Sequence, residues 1–139
     1  MATADKLTLD YGPLGRADQI IGGTDTVTGG TGILGNKLLV ADTTVDGAYK
    51  LASEGAGATA LLLDDAVNGS PARIATGGQQ KVRVAEAITR GADLVVGSEG
   101  RVKAAVANAP RIGQALEAAT AANDIITFVF LPKLEDTTA

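Results

Sequence analysis

Cysteine and histidine are both missing from the 139 residues. Without thiols there are no disulfides, no thiolate metal sites and no cysteine nucleophile. Without imidazole, His acid–base catalysis, His metal ligands and every triad built on His are closed. Carboxylates, Lys, Tyr, Ser and Thr are what remain for chemistry. Tryptophan is absent too, and two Phe and two Tyr make up the aromatic set. A buried aromatic brings roughly 150–250 Å² to a core. The core here must be made of small aliphatics, and burying more surface between subunits is an obvious remedy, so the composition points to oligomerisation. No apolar run approaches the ~18–20 residues of a membrane-spanning helix. MATADKLTLDYG at the start is too polar for a signal peptide, and a soluble product made in the cytoplasm is the expectation. With 12 basic and 16 acidic residues, a formal charge of −4 and no block of Lys or Arg, a surface that tracks phosphates is not expected either.

What is present is glycine, threonine and short apolar runs, in a length normal for one domain. Residues 1–36 are rich in Gly and Thr and poor in bulky side chains. Lys6-Leu-Thr-Leu9 alternates with period 2, and the rest of this stretch reads as an extended arm. From Asn36 the texture changes. Lys37-Leu-Leu-Val-Ala41, bounded by Gly35 and Asp42, reads as a buried strand. Tyr49–Ala52, Ala60–Asp64 and Arg73–Thr76 follow as strands, with a turn at Asn68-Gly-Ser-Pro71. Lys81-Val-Arg-Val-Ala-Glu86 alternates as a half-solvated strand does. Leu94–Val96 and Arg101–Ala104 flank Gly97-Ser-Glu-Gly100, a four-residue hairpin loop. Ile125-Ile-Thr-Phe-Val-Phe-Leu131 is the most β-like run, and Pro132 ends it. Turns recur about every 8–12 residues, the spacing of an all-β sandwich or barrel. By propensity alone, Asn108–Asn123 is a helix, with Asn as cap and Pro in the first turn.

Each candidate site has a plain structural reading beside it. Gly30-Thr-Gly-Ile-Leu-Gly35 fits G-x-G-x-x-G, and Glu54 stands roughly 20 residues on, where an acid would hold a ribose. A phosphate cradle needs a strand before the loop and a long helix after it. Here a strand follows, and Gly35-Asn-Lys-Leu38 lacks the Gly-Lys-Ser/Thr of a P-loop. With 18 glycines a chance match is cheap, so a turn into the first core strand is expected. Asp64-Asp65 and the pair Asp42 and Asp46 offer oxygen ligands, but Asp is also an ordinary turn former. Asn68-Gly69-Ser70 is formally a glycosylation sequon and reads better as a turn, open to slow deamidation. Lys81, Arg83, Arg90, Arg101 and Lys103 are interrupted by Glu86, Asp93 and Glu99. They read as a mixed, solvated sheet face without the aromatics of a nucleic-acid site. Tyr49 and Lys50 point to opposite faces of a strand. Phe128 and Phe130 share one face and read as core. A β-rich carbohydrate-binding module, the alternative, wants aromatic platforms. No catalytic constellation stands out, and neither enzymatic activity nor a cofactor is expected.

Gly77-Gly-Gln-Gln-Lys-Val-Arg-Val-Ala-Glu-Ala-Ile-Thr-Arg-Gly-Ala-Asp-Leu-Val-Val96 leads into Gly97-Ser-Glu-Gly-Arg-Val-Lys-Ala-Ala105. Ile112-Gly-Gln-Ala-Leu-Glu-Ala-Ala119 and Ala122-Asn-Asp-Ile-Ile-Thr-Phe-Val-Phe-Leu-Pro132 follow. In this order the segments resemble the tailed-phage capsid decoration (cement) proteins of the DUF2190 type, over roughly residues 38–132. Gly91-Ala92-Asp93 departs by one residue from the Gly-Asp of that pattern. The resemblance implies an all-β fold with little or no helix, a small β-barrel or β-clip-like domain at 37–132. An extended arm at 1–36 precedes it and a polar tail at 133–139 follows. It turns Arg111–Ala118 into strand, with a turn at Ala121–Asp124. It implies a homotrimer on the outer surface of an icosahedral head, at threefold and quasi-threefold positions. There it would bind the major capsid protein and resist internal DNA pressure, with no direct nucleic-acid or membrane partner. An extended arm can add a strand to a neighbour's sheet edge. Residues 3–21 are expected to contact capsid protein or an adjacent decoration subunit, through Leu7, Leu9, Tyr11, Leu14, Ile20 and Ile21.

Overall fold

The computed structural model describes residues 14–132. β1 (Leu14–Ala17) and β2 (Gln19–Ile20) come first, then the hairpin of β3 (Asp25–Val27) and β4 (Gly30–Ile33). β5 (Leu38–Ala41), β6 (Ala48–Leu51), β7 (Ala60–Leu62), β8 (Ala66–Val67) and β9 (Ala72–Ala75) follow. β10 (Gly78–Arg83), β11 (Asp93–Val96), β12 (Val102–Ala104), β13 (Gly113–Ala115) and β14 (Ile125–Phe130) complete the described residues. A 3₁₀ turn at Ser98–Gly100 is their only helical element, and none of their helices could cross a membrane. The all-β class expected from turn spacing is therefore what forms.

The strands build three sheets, ordered β1-β9-β7-β5-β6-β2, β10-β14-β13-β11-β12 and β3-β4-β8. Their burial shows the six-stranded sheet in the middle. Leu38, Leu61 and Ala75 join Val82, Leu94, Val96, Phe128 and Phe130 in one core cluster, against the five-stranded sheet. Their chain neighbours Leu39, Leu62 and Ile74 join Ile33 and Ala66 in a second cluster, against the three-stranded sheet. Successive side chains of a strand point to opposite faces. A strand covered on both faces must then be apolar without alternation, which is why Leu38-Leu39 and Leu61-Leu62 are doublets. A fully buried Leu or Ile contributes about 1.5–3 kcal/mol. Many such residues in two clusters stand in for the missing aromatics. The exceptions are Phe128 and Phe130, stacked with ring centroids 5.5 Å apart and fully buried, on one face of β14 as expected.

The expected barrel does not close among the described residues. Beyond β10, Val84 bridges Val102 of β12 in parallel, and Ala85 N–H donates to Val102 O at 2.8 Å. No ladder continues from this bridge, and the N–H and carbonyl of Val84 pair on its other side, with Asp124 O and Asn123 N–H. The five-stranded sheet thus has one bridge between its edges, and β1 and β2, the two ends of the six-stranded sheet, are joined through Asp18 alone.

The segment with helical propensity forms no helix. Gly113 pairs with Phe130, and Ala115 with Phe128. A Cβ at Gly113 would collide with Val129 O and the Phe128 ring. Glycine is thus fitted to close strand packing there, and it also disfavours a helix by about 1 kcal/mol. The ladder ends at Ala115, three residues short of the expected Ala118. A turn follows at Ala121–Asp124, closed by Asp124 N–H to Ala121 O at 3.3 Å.

Candidate interaction surface

The glycine motif lies in β4 and the bend after it. Gly32 is set against β8 and residue 23: a Cβ there would overlap Ala66 O. The next two N–H groups are occupied. Leu34 N–H donates to Asp25 Oδ2 at 3.0 Å and Gly35 N–H to Asp65 Oδ1 at 2.7 Å. A phosphate placed on this loop would face two carboxylates instead of free donors. Strand β5 follows where a helix would be needed. The loop is a packing device, as its sequence context suggested.

Beside it lies a buried ion pair that the sequence did not single out. Lys37 is 3% exposed, and its Nζ sits 2.8 Å from Asp25 Oδ2 and 3.8 Å from Glu99 Oε1. Burial pushes the Asp25 carboxyl up, but hydrogen bonds from Lys37 and Leu34 N–H outweigh it. With the charges of Lys37 and Arg83 added, the carboxyl is held below its ordinary value. Lys37 leads into the central sheet, Asp25 is on the three-stranded sheet and Glu99 on the β11–β12 hairpin. One ammonium therefore ties the three layers together.

The remaining charged candidates disperse. Asp64 pairs with Arg73 at 2.7 Å, while Asp65 serves Gly35, so the adjacent carboxylates do not share a ligand position. Asp42 accepts from the Thr44 hydroxyl and from the N–H groups of Thr44 and Val45, which hold its carboxyl below the usual range. Among the described residues, no three acidic side chains converge on a metal position. Of the basic residues, Arg83 donates to Gly35 O, Arg101 to Ser98 and Asn123, and Lys103 to Glu54. They form no single patch. Asn68 holds the β8–β9 turn and also clamps residue 23: it accepts from Gly23 N–H at 2.8 Å and donates to Gly23 O at 2.9 Å. Tyr49 packs on the second cluster while Lys50 turns to Asp42.

What remains is surface. β1 is an edge of the central sheet, paired with β9 on one side and with no strand on the other among the described residues. Leu14 is 49% exposed, and Arg16 points to the same face. Arg16, Arg73, Asp64, Asp65, Pro71 and Ala72 line a shallow depression of about 230 Å³ beside this edge. Arg73 is committed to Asp64, and Arg16 has no acidic partner among the described residues. Of the expected contact residues, Leu7, Leu9 and Tyr11 lie outside the described residues. Leu14 is on the surface and Ile21 is half-buried. Ile20 is fully buried in the second cluster, so its side chain belongs to the core. Its neighbour Ala17 is buried in the same cluster, a pairing that the short, glycine-broken stretch conceals in sequence.

No family model and no curated protein matches the chain, so the resemblance to DUF2190 proteins rests on the motifs quoted above. Among solved structures, the chain is similar to the one described as the head fiber gp8.5 N base in bacteriophage phi29. The TM-score is 0.68, over 88% of this chain and 98% of that one, at 18% identity. At that identity the likeness is one of fold.

Proposed function

We propose that this chain is a non-enzymatic structural virion protein that binds the outer surface of an icosahedral phage head. In this reading it acts as a homotrimer at threefold and quasi-threefold positions, bound to the major capsid protein, and stabilises the shell against internal DNA pressure. The observation that carries the proposal is the fold. Nearly the whole of a phage head fiber base matches nearly the whole of this chain. The described residues support it indirectly: many of their charged groups, Asp25, Lys37, Asp42, Asp64 and Asp124 among them, are spent on turns, layer ties and pairs. Fold alone does not give function, so the proposal needs a binding test.

Contact with the shell is assigned to the chain leading into β1 and to its exposed edge, with Leu7, Leu9, Tyr11 and Leu14 as contact residues. Main-chain pairing with a neighbour's strand would supply affinity, as in strand addition generally. Ile21 lies beside β6, with its N–H on Tyr49 O, and Ile20 is buried in the core, so neither is counted among the contact residues. A deletion reaching residue 21 would remove β1, β2 and a core side chain, so the informative truncation stops earlier. A chain lacking residues 2–13 should remain folded and lose occupancy on undecorated heads in a sedimentation assay. Unchanged occupancy would refute the assignment of the arm. Full-length protein that ignores heads altogether would refute the proposal. The carbohydrate-binding alternative loses ground, because Phe128 and Phe130 are fully buried and offer no platform.

A further inference from the structure

Arg16 and Arg73 stand directly opposite each other in the β1–β9 ladder, both exposed and on one face of the sheet. Leu63 N–H donates to Arg73 O at 3.1 Å, so the main-chain groups of Arg73 are turned toward β7. The Arg16–Arg73 pair is therefore of the non-hydrogen-bonded kind, in which facing side chains come closest. Like charges at directly opposite positions destabilise a sheet. Asp64 answers one of the two: its Oδ2 accepts from Arg73 Nε at 3.0 Å and from Arg73 Nη2 at 2.7 Å. Asp65, the other carboxylate lining the depression, accepts Gly35 N–H. Arg16 is left as an uncompensated cation at the edge of the sheet. A position that breaks a local rule, with no answering gain among the described residues, is where function is expected.

The same geometry says what would answer it. In a non-hydrogen-bonded pair both residues turn their main-chain groups away from each other. Those of Arg16, and of Leu14 two positions earlier, therefore face the open edge. Their side chains lie together on the exposed face. A strand laid along β1 would pair with the main chain of Arg16 and set one of its own side chains beside the guanidinium, over the depression. An acidic side chain there makes a forked, charge-assisted pair. A basic one would add a third cation to Arg16 and Arg73. We propose that Arg16 is the specificity-determining contact of this edge, and that the strand which the shell protein lays along β1 carries a carboxylate opposite Arg16 and an apolar side chain opposite Leu14. This rests on the head-binding reading above and adds the chemistry of the partner strand.

The experiment is sedimentation with undecorated heads in a salt series, on the full chain, Arg16→Gln, Arg16→Glu and Arg16→Lys. Urea unfolding of each variant separates binding from folding. Arg16→Glu should hold or raise the unfolding midpoint, because a carboxylate at that position faces Arg73 in place of a second guanidinium. Its affinity for heads should nevertheless fall about tenfold or more, and that of Arg16→Gln about fivefold, the scale of an interface arginine. Arg16→Lys, which keeps the charge and loses the fork, should lose less than Arg16→Gln. The full chain's affinity should fall with salt more steeply than that of Arg16→Gln, since salt screens an exposed charge pair. Head affinity that is unchanged or raised in Arg16→Glu overturns the acidic partner and leaves the head-binding reading standing. If self-association in light scattering changes while head affinity does not, the edge belongs to a second copy and the proposal is overturned likewise. A loss of affinity matched by a lower unfolding midpoint also overturns it. A full chain that ignores heads overturns the head-binding reading and this contact with it.

Discussion

Replacing Lys37 by Met removes an ammonium that is 4% exposed in its side chain and leaves Asp25, 15% exposed, without its nearest partner. Breaking a buried pair from one side costs about 3–5 kcal/mol, because the surviving charge stays desolvated. Two features place this case at the low end. Asp25 keeps the Leu34 N–H at 3.0 Å and the charge of Arg83, and it is not wholly shut from solvent. The second contact, to Glu99, adds little, because that carboxylate is 63% exposed and surface pairs contribute about 0–1 kcal/mol. The expected loss is therefore about 3 kcal/mol, a large share of the roughly 5–15 kcal/mol of a typical domain. Urea unfolding at neutral pH should show it as a lower midpoint with unchanged slope. Replacing both partners, Lys37→Met with Asp25→Asn, should recover most of the loss, since no buried charge then remains. The pH dependence has a definite sign. In the parent, the folded-state carboxyl of Asp25 lies below its unfolded value of about 3.9. The resulting stability is present above that value and lost as pH falls through the lower folded one. In Lys37→Met the main lowering partner is gone and burial dominates, so protonation relieves the variant. The gap between the two proteins should narrow as pH drops from about 6 toward 4. A gap that stays constant, or a single-variant cost below about 1 kcal/mol, would refute the description of Lys37 as a tie between layers.

Further outcomes follow from other packing details. Gly113→Ala should cost about 1–3 kcal/mol in urea unfolding, because its Cβ meets Val129 O and the Phe128 ring; an unchanged midpoint would mean that β13 and β14 sit further apart than described. Asn68→Asp keeps an acceptor for Gly23 N–H but loses the donor to Gly23 O, and should cost about 1–3 kcal/mol as that carbonyl goes unpaired. In the folded protein Gly69 N–H is tied to Ile20 O at 2.7 Å, so peptide mapping should find Asn68 deamidating at least tenfold more slowly than in a short peptide of the same sequence, and equal rates would contradict this. Millimolar ATP or NAD should leave the melting temperature unchanged, since the Leu34 and Gly35 N–H groups of the glycine loop already serve carboxylates; a rise that grows with concentration would restore the nucleotide reading.

The strands with continuous apolar runs were legible because burial on both faces leaves a mark that needs no partner information. Leu38–Val40 and Leu61-Leu62 read as strand in this way, Ile125–Leu131 by its β-branched and aromatic residues, and the Gly97–Gly100 hairpin was placed by its loop alone. Residues 109–122 were harder, since Ala, Leu and Glu favour helix locally. What overrides that preference is Phe128 over Gly113, a contact between residues far apart in sequence. The layering was not legible. Strands of two to four residues carry too few side chains for a periodic signal, so β2, β3 and β8 could not be seen. Nor could the pairing of Lys37 with Asp25 be inferred, because nothing local distinguishes a lysine that will be buried from one that will not.

The surface shows the same limit from the other side. Ile125–Leu131 reads as strand, with Phe128 and Phe130 sharing one face as core, and its apolar residues run on across the other face as well. The structure buries one face and leaves Ile125, Val129 and Leu131 on the other, at the outside of the outer sheet. The central strands β5 and β7 are apolar too and are covered on both sides within the chain. An apolar row on a face that no strand covers among the described residues is area that association would bury. For a protein with two Phe, two Tyr and no Trp, that outside cover is also where the missing core area can be made up. Sparse aromatics and the outward row of β14 are therefore two expressions of one deficit. Association through that row is expected to raise the unfolding midpoint as protein concentration rises, and in Ile125→Glu the rise over the same range should be smaller.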